Sequence, residues 1–311
     1  MTGIAGFAGS HLAGYLLGQG FEVSGLIYPG ESLDNILHIK NELNLCPGDL
    51  LDTRSLQDAL ENAAPDYIFH LAALSEVNEA RNCPTRTYEV NVLGQLNLLE
   101  AVRHTGLDPT VMVVGSALEY GVPDRLPVDE HASLRPAEPY ASSKVAQDYM
   151  GKQYFISHDM KIVRVRPFNH TGPRRPGNYL CSSFARKIAE IESGKSAPLL
   201  KVGDPEYSRD ITDVRDMVAA YLLAVQKCSP GKVYNICSGW AVKISEIINM
   251  LLELSGIEVE LEIEPSLIRP GSAREIYGDC SLFRGETGWQ PKIKIKKTLG
   301  DMLNYWREKR E

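Results

Sequence analysis

Residues 2–12 read Thr2-Gly3-Ile4-Ala5-Gly6-Phe7-Ala8-Gly9-Ser10-His11-Leu12, three glycines at GxxGxxG spacing entering an apolar helical pattern. Glycines permit a tight turn and let backbone N–H groups approach a pyrophosphate, and the helix N-terminus adds partial positive charge. The same spacing suits a plain glycine-rich turn. Its place at the head of an alternating α/β chain is what favours dinucleotide binding. Such a turn is fed by a central strand, yet only Met1 precedes Thr2. The first strand is therefore apparently missing from this sequence. An unfilled central slot would expose two strand edges, so the expectation is a true start upstream of Met1.

Working outward, apolar β-rich runs alternate with helical patterns. Strands are expected at Val23–Ile27, Tyr67–Leu71, Val111–Gly115 and Ile162–Val165. Helices are expected at Gly9–Leu17, Ser55–Asn62, Pro84–His104 and Tyr140–Ser157. This alternation predicts an α/β fold, a doubly wound parallel sheet of Rossmann type covered on both faces. After Pro167 the pattern loosens. Helices are expected near Ser182–Ser193, Asp213–Val225, Ile244–Leu254 and Leu299–Arg307, with a strand at Val233–Ile236 and an alternating run at Val259–Ile263. The reading is a dinucleotide-binding domain over residues 1–167, to which 210–237 returns. Residues 168–209 and 238–311 mainly form a smaller α/β substrate-binding lobe.

The chain has 311 residues, 43% apolar and 23% charged, with a net charge of -7. The basic footprint of a nucleic-acid binder is absent. No apolar run approaches the roughly 20 residues of a membrane span, and no basic-then-apolar leader opens the chain. The six cysteines form no CxxC pair, which reads as reduced thiols in a cytoplasmic protein without a metal site. The run Lys292–Lys297 reads as a solvated face.

Tyr140-Ala141-Ser142-Ser143-Lys144 places a tyrosine and a lysine four apart, on one helix face. A nearby ammonium favours the phenolate and is expected to bring the tyrosine pKa toward working pH, so that Tyr140 can pass a proton to or from a sugar oxygen. Some 20 residues upstream stands Val114-Gly115-Ser116-Ala117-Leu118-Glu119-Tyr120-Gly121 after an apolar strand, and a serine at that strand end can bond the same oxygen. For cofactor choice, an acidic residue about 20 residues past the glycines would favour NAD, and an arginine NADP. Neither is read at Gly25–Gly30, so NADP and NAD both stay open.

Together, Thr2–Gly9, His70-Leu71-Ala72-Ala73, Ser116 and Tyr140-xxx-Lys144 resemble the extended short-chain dehydrogenase/reductase family. Arg166-Pro167-Phe168-Asn169-His170-Thr171-Gly172-Pro173 looks like the matching segment of its GDP-4-keto-6-deoxymannose reductases. Arg209–Asp216, Arg269-Pro270 and Gly278-Asp279 resemble the same GDP-sugar branch, which also contains GDP-mannose 4,6-dehydratases. The resemblance implies Ser116, Tyr140 and Lys144 as the catalytic set. It implies cofactor contacts from Gly3, Gly6, Phe7, Ala8 and Gly9, from Asp49 and Leu50, and from Leu71, Ala72 and Ala73. Tyr140, Lys144, Phe168 and His170 would lie at the nicotinamide end. Ser75, Ser116, Asn169, Arg209 and Arg269 would hold a GDP-hexose, and two chains would pair as a homodimer through the two long helices. His70 reads as structural; Ser75 also suits a loop, Asn169 backbone satisfaction, and Arg209 and Arg269 a solvated surface. Arg174 and Arg175 are balanced between roles.

The implied reaction is reduction of the 4-keto group of GDP-4-keto-6-deoxy-D-mannose to GDP-D-rhamnose. A 4-epimerase, a 4,6-dehydratase and a catalytically silent NAD(P)-binding sensor are the rivals. The dehydratases carry a glutamate two residues after the catalytic hydroxyl residue, where this chain has Leu118. Glu119 is adjacent and is expected to face away from the sugar.

Overall fold

The computed structural model describes residues 1–268 and 273–309, so Arg269 and Pro270 of the sequence reading lie outside the described residues. Along the chain run β1 (Ser24–Ile27), β2 (Asn44–Pro47), β3 (Tyr67–His70), β4 (Thr110–Val114), β5 (Ile162–Pro167) and β6 (Asn169–Thr171). They are followed by β7 (Leu199–Val202), β8 (Ser208–Asp213), β9 (Val233–Ile236), β10 (Ala241–Lys243), β11 (Glu260–Ile263) and β12 (Glu275–Ile276). The main sheet is parallel. β3, β4, β5 and β9 lie side by side in that order, and β1 pairs with β2. Thr2 bridges Leu26 on one side and His70 on the other, which joins the two parts into one sheet. The order β2-β1-Thr2-β3-β4-β5-β9 is that of a doubly wound fold.

Thr2 N donates to Phe69 O at 3.1 Å and Leu26 N donates to Met1 O at 2.9 Å, so two residues occupy the top of the central slot. Below them lies a cavity of about 410 Å³ walled by Val23, Leu26, Leu56, Leu60, Ile68 and Phe69 among others. The Met1 ammonium donates to Ser24 O at 2.7 Å, and burial pushes its pKa down to about 6. An extended apolar segment of four residues joined ahead of Met1 is expected to fill this space and replace the amine by an amide. Offset by chain ordering, the gain should raise the thermal midpoint by about 5 °C. The amine's folded pKa lies below its unfolded value of 8.0, so its penalty is absent above pH 8 and grows as pH falls toward 6. Differential scanning calorimetry at both pH values checks this; an unchanged midpoint would show that the slot gains nothing from a strand.

β5 shows how sequence becomes packing. All six of its residues are buried. Val163 and Val165 face one side of the sheet, into the cluster with Val214, Met217 and Tyr221 of helix Val214–Lys227. Arg164 and Arg166 face the other, toward helix Pro139–His158. That helix matches the Tyr140–Ser157 expectation closely. The expected helix Pro84–His104 is instead three pieces, an α-helix Pro84–Tyr88, a π turn Glu89–Leu93 and an α-helix Gly94–Thr105. The π turn re-aims Asn91, which accepts from Leu74 N at 2.8 Å and donates to Leu74 O at 3.1 Å and Ser143 Oγ at 2.9 Å.

A second apolar cluster gathers Phe184, Ile188, Leu200, Ile247, Leu251, Leu299 and Met302. Of its short strands only β11 was legible in the sequence, as the alternating run Val259–Ile263. β8 is flanked by β10, antiparallel, and by β12, and also pairs with β6; β7 pairs with β11. No helix among the described residues is long and apolar enough to cross a membrane.

Candidate active site

The cleft between the main sheet and the second cluster has a volume of about 1030 Å³. Gly3, Gly6, Phe7, Ala8 and Gly9 form its floor, followed by Asp49, Leu50 and Leu71–Ser75. Ser116, Leu118, Tyr140 and Lys144 form one wall, and Phe168, Asn169, His170, Arg175, Tyr179 and Arg209 another. Every described residue among those expected from the sequence lines this cleft, and Arg269 lies outside the described residues.

The glycine positions are dictated sterically. Gly3 has φ +68, and a Cβ there would meet Ala72 N at 2.8 Å. A Cβ on Gly9 would meet Gly3 O at 2.0 Å. The turn and helix Phe7–Gly18 can pack this closely only without side chains. No side chain caps the first amides of that helix, whereas Asp52 caps Arg54 N and Ser55 N of helix Thr53–Ala63. The uncapped amides and the Cβ-free loop therefore make a cradle that fits an anionic pyrophosphate.

Asp49 is half used: its Oδ1 accepts Leu51 N at 2.9 Å. Ser75 Oγ lies 2.8 Å from Tyr179 OH. Asn169 is exposed within the cleft, so it is not consumed by buried backbone. His170 stacks on Phe7 at 5.9 Å, and burial with Arg175 nearby pushes its pKa down to about 3, so it is neutral. Arg209 Nη1 donates to Ser208 O at 2.8 Å, with its guanidinium over Tyr207. His70, read as structural, is buried between Thr2 Oγ1 at 2.9 Å and Gln147.

Ser116 caps its own 3-10 turn. Its Oγ accepts Leu118 N at 3.1 Å, which leaves the hydroxyl proton for the cleft. Lys144 is buried; its Nζ donates to Val114 O at 2.9 Å and lies 5.9 Å from the Tyr140 ring centre. Burial pushes Lys144 down to about 8, opposed by Glu119. The expected lowering of Tyr140 is not what this geometry gives. Burial raises the phenol well above its usual range, assisted by Tyr179 and opposed by Arg175. The phenol is thus held protonated.

Leu118 faces the cleft and Glu119 does not. Glu119 is fully buried, with Oε1 accepting Ser116 N at 2.6 Å and Oε2 lying 3.1 Å from Arg166 Nε. Burial and Asp148 raise its pKa while Arg166 opposes them.

Three groups stand out that sequence reading left aside. Arg175 sits with its guanidinium 3.6 Å from the Tyr179 ring centre and 4.8 Å from that of Phe7. No carboxylate pairs with it among the described residues. Its only signal was adjacency to the Pro173 turn. Asn91 pins the loop carrying Ser75; a polar residue on an apolar helix face was the clue. Glu31, overlooked beyond strand Val23–Ile27, also lines the cleft.

Residues 1–302 match the profile of the GDP-mannose 4,6 dehydratase family. The chain is 35% identical over 308 residues to GDP-6-deoxy-D-mannose reductase of Pseudomonas aeruginosa, covering 98% of this chain and 96% of that one. The solved structure of RMD from Pseudomonas aeruginosa complexed with NADPH superposes with a TM-score of 0.86 at 34% identity, covering 99% and 97% of the two chains. UDP-glucose 4-epimerase of Thermotoga maritima, solved with UDP-glucose, gives 0.90 at 26% identity, covering 100% and 98%.

Proposed function

The chain belongs to the GDP-mannose 4,6-dehydratase family, and on that premise we propose that it reduces the 4-keto group of GDP-4-keto-6-deoxy-D-mannose to GDP-D-rhamnose with NADH or NADPH. The observation that carries the reductase reading is the pairing of an assembled Ser116–Tyr140–Lys144 wall with an apolar Leu118 at the position where dehydratases hold an acid. Elimination of water across C5 and C6 needs its own acid–base group, and Glu119 is sealed behind the wall.

A bound dihydronicotinamide would supply hydride to C4. Tyr140, held as the phenol, gives its proton to the keto oxygen. The Ser116 hydroxyl orients that oxygen, and the Lys144 ammonium offsets the phenolate left behind. Gly3, Gly6, Phe7, Ala8 and Gly9 hold the cofactor pyrophosphate. Asp49, Leu50, Leu71, Ala72 and Ala73 line its adenosine half, and Phe168 and His170 its nicotinamide end. Ser75, Asn169, Arg209 and Arg269 anchor the sugar nucleotide, and this remote binding positions the reacting carbon. Arg175 faces the anionic groups as a guanidinium without a carboxylate partner among the described residues. A second copy of the chain pairs through Tyr88 and Leu93 and through Tyr149 and Ile156, large apolar side chains exposed on the two long helical segments.

The test incubates purified protein with each reduced cofactor and the keto sugar, following nicotinamide absorbance and the product by chromatography. A parallel incubation holds GDP-mannose and NADP. The expected result is cofactor oxidation with the keto sugar and no 4-keto-6-deoxy product from GDP-mannose. Robust conversion of GDP-mannose, or no oxidation with the keto sugar, sinks the reading.

A further inference from the structure

We propose that Glu31 makes this chain prefer NAD(H) over NADP(H), by bonding the adenosine ribose 2′-hydroxyl and opposing a phosphate at that position. The inference rests on the dinucleotide-binding reading of the cleft and adds a choice between the two cofactors.

Glu31 lies in the turn that leaves β1 at its C-terminal end. Its N–H donates to Tyr28 O at 3.0 Å, and its Oε2 accepts Tyr28 N at 3.3 Å. Gly30 takes φ +87 to make that turn. The carboxylate is thereby folded back over the strand end instead of extending into solvent. It lines the same cleft as the glycine loop and Asp49. In a doubly wound fold the strand after the glycine helix ends beside the adenosine ribose, where an acidic side chain takes the 2′-hydroxyl and an arginine accommodates a 2′-phosphate. Desolvation raises the Glu31 pKa, as expected for a carboxylate drawn partly out of water.

The second observation is the charge around it. Residues 1–80 contain only two lysines or arginines, Lys40 and Arg54, and neither lines the cleft. Arg54 lies 3.7 Å from Asp58 on an exposed helix face. Arg174 reaches this region from the other lobe but turns away. Its Nη1 donates to Asn35 O at 2.9 Å, its Nε and Nη2 lie against His11, and it does not line the cleft. Arg81 and Arg86 line the cleft from beyond β3, yet lie 3.2 Å from Glu138 and 3.5 Å from Glu89. The charges facing the cleft from the turn after β1 and from β2 onward to Leu50 are therefore both carboxylates, Glu31 and Asp49. A 2′-phosphate brings further negative charge to this spot and finds no fork among the described residues to receive it.

The test uses calorimetric titration of the full chain with ADP-ribose and with 2′-phospho-ADP-ribose, which carry the discriminating end without the nicotinamide. Wild-type protein is expected to bind ADP-ribose at least about tenfold more tightly. In Glu31→Gln, checked for an unchanged melting temperature, the two affinities should come within about threefold, chiefly by tighter binding of the phosphorylated ligand. Equal or tighter wild-type binding of 2′-phospho-ADP-ribose overturns the proposal, as does an unchanged ratio in Glu31→Gln. If neither nucleotide binds, the dinucleotide site itself fails and the proposed function falls with it.

Discussion

Replacing Tyr140 by phenylalanine is expected to lower kcat by about a thousandfold while leaving nucleotide affinity within about twofold of wild type. The substitution removes one hydroxyl from a ring that keeps its place at the start of helix Pro139–His158. Lys144 keeps its bond to Val114 O, and the glycine cradle is untouched. What disappears is the proton donor, and burial holds that donor in its protonated form. A reductase needs the phenol and not the phenolate, so the raised pKa fits the proposed direction of proton flow. The removed interaction is one made as the keto oxygen gains charge, so kcat and kcat/KM should fall together. Stopped-flow reduction and calorimetric binding on the same preparation check both halves. Near-normal turnover in Tyr140→Phe would mean that another group delivers the proton.

How much of this was legible beforehand follows from what each signal depends on. The glycine loop and Tyr140-xxx-Lys144 are local patterns whose meaning is set by spacing, and both lie where spacing put them. Five strands of the main sheet were readable because they are largely apolar and buried, as with Thr110–Val114, whereas β2, Asn44–Pro47, has both ends exposed and carries no apolar run to announce it. The second lobe was harder. β10 and β12 have three and two residues and take their conformation from pairing with β8, so no periodicity announces them. The π turn at Glu89–Leu93 needs tertiary contacts from Asn91 to be worthwhile. Glu31 was passed over because its turn places it four residues beyond the strand end, later than a fixed count from the glycines suggests. Lys144 was expected to act on Tyr140 through charge alone; its bond to Val114 O and the shared burial of both groups could be known only from packing.

The largest stability effect is expected at Asp148, a residue with no place in the chemistry. On helix Pro139–His158 it follows Tyr140 and Lys144 at helical spacing, so it faces β5 beneath them. There it receives both arginines of the alternating run Ile162-Val163-Arg164-Val165-Arg166. Arg164 Nη1 bonds Oδ1, and Arg166 bonds Oδ2 through Nη2 and through Nε at 2.8 Å. Arg166 also faces Glu119, whose other oxygen holds the Ser116 N–H. Two acids and two guanidinium groups thus meet in a buried space, and they tie the helix carrying Tyr140 to the strand end carrying Ser116. Asp148→Ala leaves both arginines buried beside a single carboxylate, which should cost about 3–5 kcal/mol. The exposed pair Arg135–Asp124 has comparably short contacts, 2.6 Å for each oxygen, but lies in water. Asp124→Ala should therefore cost less than about 1 kcal/mol. Urea denaturation of the two variants side by side makes the comparison. A loss at Asp148 no larger than that at Asp124 would show that the buried network does not anchor the catalytic helix.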